Sequence, residues 1–195
     1  MRKSIHSLLL LSFLTVFNGC ESEKVIDDVF DGITRGAILR TINATKTYNL
    51  EDTSSVFRVQ LEESDHEDGT LLSEVNLYIS FSDKSETEKD LEVEEFFMDT
   101  FTTSSFGLSE NGLPLLDVSV SLKEAIEATK LKEGEFVEGD QFIFRFELVL
   151  TDGRTFSSGN ANSTVTGGSF FRSPFRYAVT LTLPSPPSES INYNR

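Results

Sequence analysis

Gln141-Phe142-Ile143-Phe144-Arg145-Phe146-Glu147-Leu148-Val149-Leu150 is the stretch that decides the fold, and Thr151-Asp152-Gly153-Arg154 follows it directly. Side chains of an extended chain point alternately to opposite faces, so a period of two in polarity marks a strand with one face on a core. Here Phe142, Phe144, Phe146, Leu148 and Leu150 share one parity, while Ile143, Arg145, Glu147 and Val149 share the other. Asp152-Gly153 between two extended runs predicts a tight hairpin whose central residues both take positive φ, with residues 155–157 as the return strand. A two-residue loop would place Phe156 on the Val149 face, and a bulge would return it to the Phe-rich face; the sequence leaves both open.

The same period recurs on either side of this hairpin. Val75, Leu77, Ile79 and Phe81 alternate with Glu74, Asn76, Tyr78 and Ser80, and Phe57, Val59 and Leu61 alternate with Arg58, Gln60 and Glu62. Phe175, Tyr177, Val179, Leu181 and Leu183 form one face of a last strand, against Arg176, Ala178, Thr180 and Thr182. Less regular strand patterns cover residues 37–42, 91–98 and 116–120, for about seven or eight strands in all. One helix interrupts them: Ser121-Leu122-Lys123-Glu124 is a capping box, Leu122, Ala125, Ile126 and Thr129 share a face, and Lys130, Lys132 and Gly134 mark the end. This pattern predicts an all-β fold, an antiparallel immunoglobulin-like β-sandwich with one short crossing helix. A closed barrel is the rival. With one cysteine and no tryptophan, the Cys-Trp-Cys core of true immunoglobulin domains is absent, so the expectation concerns architecture and not descent.

The ends of the chain carry a different message. Arg2 and Lys3, the apolar run of residues 7–17 and Phe17-Asn18-Gly19-Cys20 read as a lipoprotein signal peptide over residues 1–19, with Cys20 lipidated as the first mature residue. An apolar run this short does not cross a bilayer comfortably, whereas several acyl chains, at about 0.8 kcal/mol per buried methylene, anchor permanently. Lipidation also accounts for a lone cysteine in an exported protein. Residues 20–35 then form an acidic tether, 36–183 the sandwich with room for two small subdomains, and 184–195 a disordered tail that opens on Pro184-Ser185-Pro186-Pro187. The net charge of −15 disfavours nucleic acid and anionic headgroups as partners.

Catalysis is short of parts. Beyond the signal segment there is one histidine, His66, and no Gly-x-Ser-x-Gly, His-Glu-x-x-His or phosphate-loop pattern, so the expectation is a non-enzymatic protein. Glu62-Glu63-Ser64-Asp65-His66-Glu67-Asp68-Gly69 is the densest run of oxygen donors, between two predicted strands. A solvated acidic loop is one reading of it; a calcium site with Asp65, Glu67 and Asp68 as ligands is the other. Residues 157–169 make a loop of small polar residues in which Asn160 and Asn162 have the chemistry to bond sugar hydroxyls. A sugar site also needs an aromatic platform. Tyr48, Tyr78 and Tyr177 are the candidates, and Tyr78, on the polar parity of its strand, is the best placed to be exposed.

Residues 74–81, Gly112-Leu113-Pro114, residues 139–146, residues 150–156 and Ser173-Pro174-Phe175-Arg176-Tyr177 together resemble a family of Bacteroidota surface lipoproteins. The nearest comparison is the N-terminal immunoglobulin-like portion of SusE-type proteins, accessory lipoproteins of SusC/SusD nutrient-uptake systems. The acidic residues after Cys20 look like the surface-export signals of such lipoproteins, and the same acids also read as a solvated linker. The resemblance implies a lipid-anchored outer-membrane protein facing outward that assists capture or uptake of a polysaccharide or other nutrient beside a SusC/SusD-like complex. It carries over no catalytic residue, and the chain ends without the C-terminal carbohydrate modules of starch-binding members. A structural or protein-docking module without glycan affinity is the alternative.

Overall fold

Residues 141–150 form the central strand around which the larger of two sheets is assembled, as seen in a computed structural model that describes residues 36–85 and 91–184. The signal peptide, Cys20, the tether and residues 185–195 lie outside the described residues. The smaller sheet runs β1 (Ile38–Thr45), β3 (Val56–Ser64), β7 (Pro114–Ser121), β6 (Gly107–Leu108); the larger runs β2 (Thr47–Asn49), β10 (Arg176–Thr182), β8 (Gln141–Leu150), β4 (Leu72–Ser82), β5 (Glu92–Thr102). The short strand β9 (Thr155–Phe156) also pairs with β8. Every pairing is antiparallel except β2 with β10, which is parallel. With β1, β3, β7 and β6 as strands A, B, E and D, and β4, β8 and β10 as C, F and G, this is the immunoglobulin order.

Parity decides what is buried. Phe142, Phe144, Phe146, Leu148 and Leu150 of β8, and Val75, Leu77, Ile79 and Phe81 of β4, all face Phe57, Val59 and Leu61 of β3 across one core. Phe57 stacks on Phe144 with ring centroids 4.6 Å apart, and Phe146 meets Tyr177 edge-on at 5.7 Å. Each such ring contributes about 1.5–3 kcal/mol by burial, so phenylalanine does here what tryptophan and a disulfide do in antibody domains. Tyr48 and Tyr177 also belong to this core: the Tyr48 hydroxyl donates to the Val120 carbonyl at 2.9 Å, and that of Tyr177 bonds Thr41 Oγ1 at 2.7 Å. Leu183 departs from the expected face, because β10 ends at Thr182 and Leu183 is exposed.

Local chemistry shaped several connections differently from the expectation. In the β8–β9 hairpin only Gly153 has positive φ, at 84°; its N–H bonds the Leu150 carbonyl at 3.0 Å, and Leu150 N–H bonds the Arg154 carbonyl at 2.9 Å. That is a three-residue loop with a glycine bulge, and it sets Phe156 opposite Leu148, on the Phe-rich face. The crossing helix α1 (Leu122–Thr129) carries the full capping box, with Ser121 Oγ accepting from Glu124 N–H at 3.2 Å and the Glu124 carboxylate accepting from Ser121 N–H at 2.7 Å. It stops at Lys130, itself left-handed at φ 58°, and Gly134 serves the next turn instead. A second short helix, α2 (Ser163–Gly167), joins the expected one, and it is too brief for an apolar period to announce it.

Candidate functional site

The outer face of the larger sheet gathers the residues that β4, β5 and β8 turn away from the core. Alternation places Tyr78 on β4 and Arg145 and Glu147 on β8, with Tyr78 directly opposite Arg145 in the register. On β5 two shifts in register break the alternation, and they bring Phe97 opposite Tyr78 and leave Glu95 free to reach across. Arg145 forms a fork with Glu95, Nε to Oε2 at 2.8 Å and Nη2 to Oε1 at 2.8 Å, while Glu147 lies 3.8 Å from Nη1. Its guanidinium lies 4.1 Å from the centroid of the Tyr78 ring, a cation–π stack. The Tyr78 hydroxyl donates to Glu147 at 3.4 Å. The hydrogen bond to Glu95 raises the Arg145 pKa, against the opposing effect of burial.

One consequence concerns the platform. A face of the Tyr78 ring is covered by Arg145, and Phe97 stands edge-on to it at 6.0 Å and 81°. Phe97 is 55% exposed, so it offers aromatic surface on this face, across the Tyr78 ring from Arg145. Sequence reading nominated Tyr78 and missed Phe97. Asn160 and Asn162 bond within their own loop: Asn160 Oδ1 accepts Ser157 N–H and its Nδ2 donates to the Thr155 carbonyl, both at 2.8 Å, and Asn162 caps α2 by accepting Val165 N–H at 3.1 Å.

The acidic run divides between a strand and a turn. Asp65 organises the turn 65–71, its carboxylate accepting N–H bonds from Glu67 at 2.6 Å, Gly69 at 3.0 Å and Leu71 at 2.9 Å. Glu67 and Asp68 are exposed, and among the described residues no three His, Cys, Asp or Glu side chains converge as a metal-ligating group. Two shallow depressions border the turn, one of about 280 Å³ touching Asp65, His66 and Arg40 and one of about 250 Å³ touching Gly69, Phe106 and Pro114. Glu62 and Glu63 instead belong to the end of β3, Glu62 on the outer parity and Glu63 on the inward parity of Phe57, Val59 and Leu61, and both are buried. Comparison with protein-family models and with curated proteins returns no match for this chain.

Proposed function

We propose that this chain is a lipid-anchored, non-enzymatic accessory protein of a bacterial outer membrane. It holds a glycan or similar nutrient on the outer face of its larger sheet for a neighbouring SusC/SusD-type uptake complex. The observation that carries the reading is Phe97: a half-exposed ring on a sheet face, edge-on to the Tyr78 ring that carries the Arg145 guanidinium with its Glu95 and Glu147 partners. An apolar ring stacks on the C–H face of a sugar, and flanking charged groups bond its hydroxyls. Cys20 and the signal-like segment before it support the anchor, and the acidic surface favours a neutral ligand over an anionic one.

The test is calorimetry of the protein against a panel of soluble neutral polysaccharides. At least one is expected to give saturable heat, and Phe97→Ala is expected to weaken it about tenfold, the scale of about 1–3 kcal/mol found when a stacked ring is removed elsewhere. No heat from any polysaccharide sinks glycan capture. The second reading, a docking module, is supported by β5, an eleven-residue strand at the edge of the larger sheet, since an edge offers unpaired backbone groups to a partner. Co-purification with a SusC/SusD-like pair in the absence of polysaccharide heat favours that second reading.

A further inference from the structure

Glu63 is the most anomalous polar group among the described residues. Its side chain is wholly buried, and neither carboxyl oxygen has a hydrogen-bond partner. Its neighbour Glu62 is equally buried on the opposite face of β3, yet it is fully served: Arg40 Nη1 lies 3.0 Å from Oε1 and Asn111 Nδ2 lies 2.9 Å from Oε2. An orphaned buried carboxylate costs several kcal/mol, and protonation is an incomplete remedy, because the neutral acid still has an O–H without an acceptor and a C=O without a donor. A cation would satisfy both oxygens at once.

Glu63 points at the underside of the acidic turn. Its Oε2 lies 3.0 Å from the place a Cβ on Gly69 would occupy, and Gly69 sits in the middle of the turn that the Asp65 carboxylate holds together. Asp65 Oδ1 accepts two of the three turn amides and Oδ2 only one, so Oδ2 keeps a lone pair. Asp65 also faces Glu63 electrostatically, which makes two neighbouring acids with no cationic residue acting on the buried one.

We propose that Glu63 and Asp65 together hold a calcium ion beneath the turn 65–71. Backbone carbonyl oxygens of the turn and water supply the remaining ligands. The donor set is all oxygen, which selects a hard cation, and the variable coordination of calcium suits an irregular turn better than the strict octahedron of magnesium. Glu67 and Asp68, the other acids of the run, are exposed and take no part. The site moves the calcium reading of the sequence from the surface of the loop to its buried side.

The experiment strips the intact protein with a chelator and titrates calcium chloride, then magnesium chloride, at neutral pH, reading heat and thermal unfolding. Calcium is expected to give a saturable heat and a rise in Tm, with magnesium weaker. Glu63→Gln, which keeps shape and burial, is expected to lose about tenfold or more in calcium affinity, while Glu67→Gln with Asp68→Asn retains it. A wild-type protein with no calcium response overturns the proposal, and so does an unaltered response in Glu63→Gln. Loss of the response only in the Glu67 and Asp68 double variant overturns it as well, by returning the site to the loop surface. Because the wild-type arm alone can refute the site, a variant that failed to fold would not shelter it.

Discussion

Glu62 and Glu63 are adjacent, chemically identical and equally buried, and they titrate in opposite directions. Burial alone would raise the Glu62 carboxyl, but hydrogen bonds from Ser109 and Asn111 and the charge of Arg40 outweigh it and hold it below the usual range. Glu63 has burial and the Asp65 charge acting together, and its pKa is pushed up to about 8. In calcium-free buffer the native chain therefore keeps a proton that the unfolded chain releases between pH 4.5 and about 8. Stability is full below that window and falls as pH rises through it, by up to about 1.4 kcal/mol for each pH unit. Glu63→Gln is expected to flatten that part of the profile and to be more stable than wild type at pH 8, as read by urea denaturation at several pH values; parallel profiles for the two proteins would refute it. The parity that buries Phe57, Val59 and Leu61 runs on to Glu63, so its inward direction was legible in the sequence. The dense acidic run obscured it, because a row of acids reads as a solvated loop and hides where the strand ends.

At the scale of elements, what the sequence shows most openly is regular alternation, and what it hides is the bulge. Strand β8 keeps an unbroken period and was legible from end to end, β4 was legible except for its first two residues, where the register against β8 shifts, and the capping box named the first residue of α1. Strand β5 shifts register twice against β4, so no parity rule could say that Phe97 points outward, nor that Glu95 meets Arg145 fifty residues later. The hairpin shows the same limit, since Asp-Gly announces a turn without fixing its length. Glycines then separate two costs that usually arrive together. Gly69 and Gly153 share a φ of 84°, but a Cβ at Gly153 would meet nothing within 4 Å, while one at Gly69 would lie 2.3 Å from Pro114 Cδ. Gly153→Ala is expected to cost only the left-handed backbone, about 1–2 kcal/mol. Gly69→Ala adds the clash and is expected to cost about 1–3 kcal/mol more. Chemical denaturation of both variants measures the difference; equal losses would mean that the turn relaxes away from Pro114.

For the whole molecule, the packed core and the anchor proposed at Cys20 belong to separate parts of the chain. The buried apolar residues of the described core fall between Ala37 and Leu181, contributed by both sheets and by α1, and each is held by neighbours within that span. Cys20 lies outside the described residues, and its role on the lipoprotein reading is to fix location through acyl chains that each add about 0.8 kcal/mol per buried methylene. Location and fold should therefore come apart under a single substitution. Cys20→Ala is expected to abolish labelling by radioactive or alkyne-tagged fatty acid and to move the protein out of the membrane fraction. Its thermal unfolding should stay within about a degree of the wild-type polypeptide assayed without lipid, as for a change remote from the packed core. Persistent labelling would remove the anchor from the proposed function. A collapse in Tm would show that the segment before Gly36 stabilises the sandwich, and protease treatment of intact cells would then report which side of the membrane the wild-type domain faces.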